Sequence, residues 1–143
     1  NVTTGAVASL DLSYLSVSAS SLPTSVRFLT ALTSLRLNNN PSLSGTLPDE
    51  WSSLVALRTL LAGTMGATGT LPEPWSRLAS LVSLNLAGNQ LHSTIPAAWQ
   101  AGMTAMADGS LVLTNNAAMC GSLPSPWALG GAPVAGSGTQ LSN

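Results

Sequence analysis

Few side chains in this chain could perform acid–base or nucleophilic chemistry. His92 is the sole histidine, and none of its sequence neighbours is acidic. A Ser-His-Asp triad could in principle assemble from distant residues. However, Asp49, Glu50 and Glu73 follow prolines on what we expect to be an exposed turn, where carboxylates do not face one another across a cleft. The other two acidic residues are Asp11 and Asp108. We therefore predict a solvated His92 and a protein that is not an enzyme.

The sequence also has no motif that is typical of metal or cofactor binding. The sequence has no Cys/His cluster with metal-ligand spacing and no glycine-rich loop with a lysine, so we predict no metal and no cofactor. Cys120 is the sole cysteine, which excludes a disulfide within this chain. It is either a small buried hydrophobe or a partner for a cysteine outside this sequence.

Composition excludes several classes of partner. Hydrophobic residues make up 45% of the chain and charged residues only 6%, a balance opposite to that of disordered chains. The net charge of −1 predicts no binding to nucleic acid. No apolar run is long enough to cross a bilayer. The chain begins at Asn1 rather than methionine, so we expect a processed chain or a fragment. Asn1-Val2-Thr3 is the one glycosylation sequon, and Asn1 is a candidate site.

A proline followed three residues later by a tryptophan recurs along the chain with a period of about 24 residues, which predicts a solenoid. The pairs are Pro48 and Trp51, Pro72 and Trp75, Pro96 and Trp99, and Pro124 and Trp127. Pro23 shares the phase but is followed by Val26. A tryptophan in each turn could form an aromatic stripe that stacks on sugars. We favour an architectural role, with each tryptophan packing beside the proline of its own coil.

Leucines and an asparagine fill fixed positions within the repeat. In the best copy, residues 70–93, Leu84 and Leu86 are two apart and are predicted to point inward from a short strand. Leu78 and Leu81 fit one helical turn on the opposite side. An asparagine then turns inward to satisfy the backbone where the strand bends. This predicts a ladder of Asn40, Asn89 and Asn116, broken at Leu15 and Met65.

The segment L-S-G-T-L-P at residues 43–48, with weaker echoes at residues 69–72 and 93–96, resembles the plant-type leucine-rich repeat. The form T-L-P-x-x-W-S at residues 70–76 is most similar to repeats of green-algal and trypanosomatid surface proteins. The resemblance covers roughly residues 7–128 and implies an extracellular protein.

The predicted fold is an α/β solenoid, with a short-stranded parallel sheet on the concave face and 3₁₀, helical or irregular turns on the convex face. The fourth repeat is longer, and its extra residues should bulge the coil without moving its strand. The predicted units are a partial first repeat at 1–21, full repeats at 22–45, 46–69, 70–93 and 94–121, a partial terminal repeat at 122–129, and a Gly/Ala/Ser-rich tail or linker at 130–143.

Outward positions of the predicted strands form the candidate binding surface, and they fall into columns that run across the strands. The first column is hydroxylic in every turn, and the others are mostly small or neutral. The residues are Ser9, Asp11, Ser34, Arg36, Asn38, Thr59, Leu61, Ser83, Asn85, Ser110, Val112 and Thr114. Such a groove could accept an extended peptide, a glycan or another copy of the chain.

These features predict a non-catalytic extracellular or cell-surface module that mediates protein–protein or protein–glycan contact. One alternative is a structural subunit of a wall, sheath or filament, in which uncapped coils pack against other copies. The other alternative is a fragment of the ectodomain of a signalling receptor.

Overall fold

The computed structural model describes residues 5–106, 110–122 and 140–142. The glycosylation candidate Asn1 lies outside these ranges, as do Asp108, Trp127 and most of the predicted terminal repeat and tail.

The first sheet takes one short strand from each coil, and its strands are parallel and follow chain order. Leu35, Leu60 and Leu84 are fully buried at the strand centres, because alternate side chains of a strand point to opposite faces. Their flanking residues point away from the core. The strands are β1 (Ser9–Asp11), β2 (Ser34–Arg36), β4 (Thr59–Leu61), β6 (Ser83–Asn85) and β8 (Leu111–Val112).

Each coil returns on the convex side through a short helix that begins directly after a proline. The locked φ of proline, between −72° and −60° at these sites, suits a residue that leads into a helix. Among the described residues, three of these helices are 3₁₀ and one, α1, is α-helical, so the predicted α/β solenoid is confirmed. Their bounds are Thr24–Phe28, Asp49–Ser53, Glu73–Arg77 and, for α1, Ala97–Gly102.

The longer fourth repeat accommodates its extra residues without moving its strand. Leu111 lies opposite Leu84, in the same register as the earlier pairs. A side chain at Gly102 would collide with the carbonyl group of Ser76, so the glycine allows α1 to approach the preceding helix closely.

A second parallel sheet, which the sequence analysis did not predict, covers the flank between the first sheet and the convex helices. The glycine three residues before the repeat proline, present as Gly45, Gly69 and Gly121, has φ values of +104°, +85° and +96°. Only glycine adopts this backbone conformation without strain. Ser93 has φ +72° at the equivalent position. The strands are β3 (Asn40–Thr46), β5 (Met65–Gly69), β7 (Gln90–Ser93), β9 (Ala118–Ser122) and β10 (Gln140–Ser142).

Strand β10 comes from the region predicted as a tail or linker. It pairs in parallel with β9, so that Gln140 lies opposite Cys120. The last described residues of the chain are therefore part of the solenoid.

Three tryptophans form a stacked ladder inside the solenoid. Trp51, Trp75 and Trp99 are fully buried, and neighbouring rings lie 6.0 and 6.1 Å apart within 11° of parallel. Each indole N–H donates to the proline carbonyl of the preceding coil, at 2.8 to 3.0 Å. The burial of the rings agrees with the expected architectural role, and the indole hydrogen bonds add that each ring ties its coil to the one before it.

The ladder asparagines Asn40, Asn89 and Asn116 are buried and hydrogen-bonded to backbone groups. The Nδ2 group of Asn89 donates to the carbonyls of Leu86 in its own coil and Ala62 in the preceding coil. Its Oδ1 accepts from the N–H of Met65. The ladder breaks at Met65 as expected, and the backbone of that turn is capped by the asparagine of the next coil.

Candidate binding surface

The outward side of the first sheet, here called the concave face, places the predicted columns side by side. Ser9, Ser34, Thr59 and Ser83 lie opposite one another on adjacent strands. The first is exposed and the other three are half-buried. Parallel strands are about 4.8 Å apart, so these hydroxyl groups form a regular row across the sheet.

Charge on this face is confined to its N-terminal end. Asp11 and Arg36 lie opposite each other on β1 and β2, and both are exposed. The backbone N–H of Ser13 donates to the Asp11 carboxylate at 3.0 Å, and this contact lowers the pKa of Asp11 below its usual 3.8. The Arg36 charge contributes least to that shift. The remaining predicted positions, from Leu61 onward, are neutral.

Two asparagines on the concave face have a fixed orientation. The Oδ1 atom of Asn38 accepts from the N–H of Gly63 at 2.9 Å, and the Oδ1 atom of Asn85 accepts from the N–H of Ala87 at 3.0 Å. Only the amide oxygen can accept these bonds, so each Nδ2 group must point the other way. Within the described residues, neither Nδ2 group has a hydrogen-bond partner, and neither is fully buried.

Gly63 lies between these two asparagines and was not among the predicted site residues. A Cβ atom at this position would be 3.3 Å from the Ala87 carbonyl oxygen, 3.3 Å from the Asn85 Oδ1 and 3.4 Å from the Asn38 Oδ1. Gly63 is buried, and these three oxygens leave no free room for a side chain, so the glycine allows the two carboxamides to close over the backbone. We call Asn38, Gly63 and Asn85 the asparagine notch. It is formed by three coils and no single repeat contains it.

The structure places the other notable polar residues away from the concave face. His92 is exposed on β7, and its Nδ1 lies 3.0 Å from the Ser93 hydroxyl oxygen, with no acidic residue taking part in that contact. Cys120 is an exposed free thiol on β9, so its interpretation as a small buried hydrophobe is wrong. Among the described residues, no group of three or more His, Cys, Asp or Glu side chains is arranged to hold a metal ion. No helix in the described part of the chain is long and apolar enough to span a membrane.

A cavity of about 420 Å³ lies at the flank where the second sheet meets the convex helices. Its wall includes the exposed hydroxyl groups of Thr46 and Thr70 and the exposed carboxylates of Asp49 and Glu50. The cavity opens to solvent and none of the predicted site residues lines it.

The repeat, the ladders and the two parallel sheets define a leucine-rich-repeat solenoid. The family model for the leucine-rich repeat matches residues 31–54 and 80–101. The chain thus has leucine-rich repeats of the plant type, and similar solved structures include a plant peptide hormone receptor and the BIR2 ectodomain from Arabidopsis thaliana. A comparison with curated proteins found no match.

Three solved structures illustrate the similarity. A TDR receptor is 31% identical, with a TM-score of 0.70 over 81% of this chain and 19% of that one. A plant ice-binding protein is 29% identical, with a TM-score of 0.66 over 76% and 33%. The plant peptide hormone receptor RGFR1, solved in complex with RGF2, is 26% identical, with a TM-score of 0.62 over 73% and 16%. This chain therefore spans a third or less of each of these proteins.

Proposed function

We propose that this chain is a non-catalytic extracellular module that binds an extended peptide or a peptide segment of another protein on its concave face. The observation that carries the proposal is the concave face itself, where a regular row of hydroxyl side chains crosses four adjacent strands and the amide groups of Asn38 and Asn85 lie beside it. Leucine-rich repeats are generally interaction modules, and their extended concave surfaces are the usual binding element. The similarity to a peptide hormone receptor supports the same class of ligand.

The dimensions of the face suit a short extended segment. Five parallel strands at about 4.8 Å spacing cover a width of roughly 20 Å, which corresponds to about six residues of extended chain. Asp11 and Arg36 would meet one end of the ligand, and the neutral part around Leu61 and Val112 would meet the rest. The hydroxyl row could then donate to or accept from ligand groups at regular intervals.

Selection from a random peptide library displayed on phage tests this proposal. We expect the selected peptides to lose binding to a Leu61→Arg variant, because Leu61 is half-buried at the centre of the face. A matched control, Thr68→Arg, places the same charge and bulk on β5 of the second sheet and should leave binding intact. Failure to select any peptide, or loss of binding in the control alone, would contradict the proposal.

Self-association, glycan binding and the receptor-fragment interpretation remain predictions in addition to this proposed function. Self-association gains support from the first coil and the helix that follows it, where Phe28 is 70% exposed, Tyr14 76% and Leu15 60%. Light scattering on the purified chain checks it, because a monomer at high concentration excludes assembly through this coil.

A second candidate function is binding to ice, which the second sheet favours. Strands β3, β5, β7, β9 and β10 contain no Asp, Glu, Lys or Arg. Thr46 lies directly opposite Thr68, so threonine hydroxyl groups sit side by side on this flank. The similarity to a plant ice-binding protein supports the idea. Measured thermal hysteresis should disappear in Thr68→Lys and persist in Thr59→Lys on the first sheet. The absence of any hysteresis in the unaltered chain would remove this candidate.

A further inference from the structure

The cavity of about 420 Å³ on the flank, here called the flank cavity, is formed by the turns that join the second sheet to the convex helices in three successive coils. In the second coil, the chain leaves β3 at Thr46, turns inward through Leu47 and Pro48, and enters the convex helix at Asp49. Leu47 and Pro48 are buried, whereas Thr46 and Asp49 are exposed. The turn therefore leaves a hollow with an apolar floor between two polar walls.

One wall of the flank cavity consists of hydroxyl groups. Ser21, Thr46 and Thr70 hold the same position in three successive coils, two residues before the repeat proline, and all three are exposed. Neighbouring coils stack at the spacing of parallel strands, about 4.8 Å, so these hydroxyl groups form a row. Within the described residues, none of the three side chains has a hydrogen-bond partner. Each hydroxyl can therefore both donate to and accept from a ligand.

The opposite wall provides strong hydrogen-bond acceptors. Asp49 and Glu50 begin the second convex helix, and both are exposed and line the flank cavity. Within the described residues, neither carboxylate takes part in an ion pair or a hydrogen bond. The equivalent residues of the fourth coil are Ala97 and Ala98, so the repeat itself does not require this pair of acidic residues. Among the described residues, no Lys, Arg or His lines the flank cavity.

These surfaces match a neutral sugar better than an ion. A pyranose ring has C–H groups on its faces and hydroxyl groups around its edge, so it can pack on an apolar floor while it reaches two polar walls. Sugar hydroxyls that donate to Asp49 and Glu50 would form charge-assisted hydrogen bonds, which are stronger than neutral ones. An anionic ligand would meet these carboxylates without a compensating cation. A bare cation would lose hydration against Leu47 and Pro48.

The size of the flank cavity is also suitable, because ligand pockets have volumes of about 300–1,000 Å³. We propose that it binds a neutral hexose unit of a glycan. Asp49 and Glu50 accept hydrogen bonds from the hydroxyl groups of the sugar, and the ring packs on Leu47. Thr46 and Thr70 donate and accept on the other side. This site goes beyond the proposed peptide-binding function and moves the predicted glycan contact from the concave face to the flank.

The decisive variants remove polar groups from the two walls but keep the size of the side chains. Asp49→Asn combined with Glu50→Gln exchanges both carboxylates for amides, and Thr70→Val exchanges a hydroxyl for a methyl group. Matched controls make the same changes outside the flank cavity, with Glu73→Gln on the third convex helix and Thr94→Val after β7. All five residues are exposed, so melting temperatures should stay close to that of the native chain and establish that each variant is folded.

The probes are the methyl glycosides of glucose, galactose and mannose, titrated into protein that is labelled with ¹³C at the threonine methyl groups. We expect at least one glycoside to shift the signals of Thr46 and Thr70. Its affinity should fall at least tenfold in the Asp49→Asn, Glu50→Gln double variant and about threefold in Thr70→Val, but not in the controls. Glucuronic acid, which adds a carboxylate to the same ring, and butylamine, a cation without hydroxyl groups, should bind more weakly.

Several results would overturn the inference. They are the absence of a shift with all three glycosides, equal binding of glucuronic acid or butylamine, and an equal loss of affinity in the controls. The concave-face variant Leu61→Arg should bind the glycoside as the native chain does, and a loss of binding there would place the sugar on the concave face instead. Failure to select any peptide would contradict the proposed function without changing the expected glycoside titration.

Discussion

The tryptophan ladder and the asparagine notch are both formed by residues from three successive coils. They differ in whether every polar side-chain group has a hydrogen-bond partner within the protein. In the ladder, every indole N–H donates to a backbone carbonyl of the preceding coil and every ring is buried. In the notch, each carboxamide uses its oxygen internally, and its amide donor has no partner among the described residues. The tryptophan recurs at the same position of successive coils, whereas the residues of the notch occupy positions whose residue type varies from coil to coil. Periodic contacts between buried groups build this solenoid, whereas the outward amide groups that vary between coils are not part of that framework.

Removing a ring from the ladder should have the largest effect on stability. Trp75 is fully buried between two other rings, so Trp75→Ala is expected to lower the free energy of unfolding by about 3–5 kcal/mol. Chemical denaturation measures this loss. In the control Phe28→Ala, the ring is 70% exposed and the change should be roughly 0.5 kcal/mol or less. Similar losses in the two variants would show that the ladder is not a main source of stability.

Substitution of a glycine in the second sheet should have the next largest effect on stability. Gly69 has φ +85°, and a Cβ atom there would lie 3.1 Å from the Thr46 Cγ2. Gly69→Ala should therefore destabilise the protein by about 1–2 kcal/mol through left-handed strain. Melting temperatures of this variant and of Ser93→Gly, which relieves the same strain at φ +72°, should move in opposite directions. Shifts of the same sign would argue against strain as the cause.

A strained residue beside the notch should allow a modest gain in stability. Thr64 is exposed and has φ +54°, where Asn39, Gly88 and Asn115 occupy the equivalent positions of other coils. Asparagine tolerates this conformation better than a β-branched residue, so Thr64→Asn should stabilise the fold by about 0.5–1 kcal/mol. The reverse change, Asn39→Thr, should destabilise it by a similar amount. No gain in the first variant would mean that Thr64 makes a compensating contact.

The smallest effect should come from the charged end of the concave face. Because the folded-state pKa of Asp11 is lowered, its carboxylate favours the folded state above the ordinary value of 3.8. That contribution disappears as the pH falls through the lowered folded-state pKa. The difference in melting temperature between the native chain and Asp11→Asn should shrink as the pH is lowered through this range, whereas a pH-independent difference would exclude a role for the carboxylate.

Sequence periodicity predicted the repeat, the strand register and the inward asparagines, because each depends on the same residue type recurring in the same phase. The second sheet was missed, since its strands are short, differ in sequence from coil to coil and pair through coil stacking rather than through regular alternation. The partner of each tryptophan was also missed, because the Pro48 carbonyl lies one coil before Trp75. The notch could not be predicted for a related reason. Asn38 and Asn85 belong to different coils, and their proximity across Gly63 becomes apparent only in the folded structure.

The contrast between buried and outward asparagines provides the most direct test of the account. Asn89→Asp and Asn85→Asp make the same chemical change at a buried residue of the turn after β6 and at the last residue of β6, which is half-buried on the concave face. Asn89 uses its Nδ2 donor on Ala62 and Leu86, so its replacement should cost about 2–4 kcal/mol of unfolding free energy and leave binding of the phage-selected peptides unchanged while the protein stays folded. Replacement of Asn85 should change stability by roughly 0.5 kcal/mol or less and weaken binding of those peptides. Equal losses of stability in the two variants, or full binding by Asn85→Asp, would contradict the account.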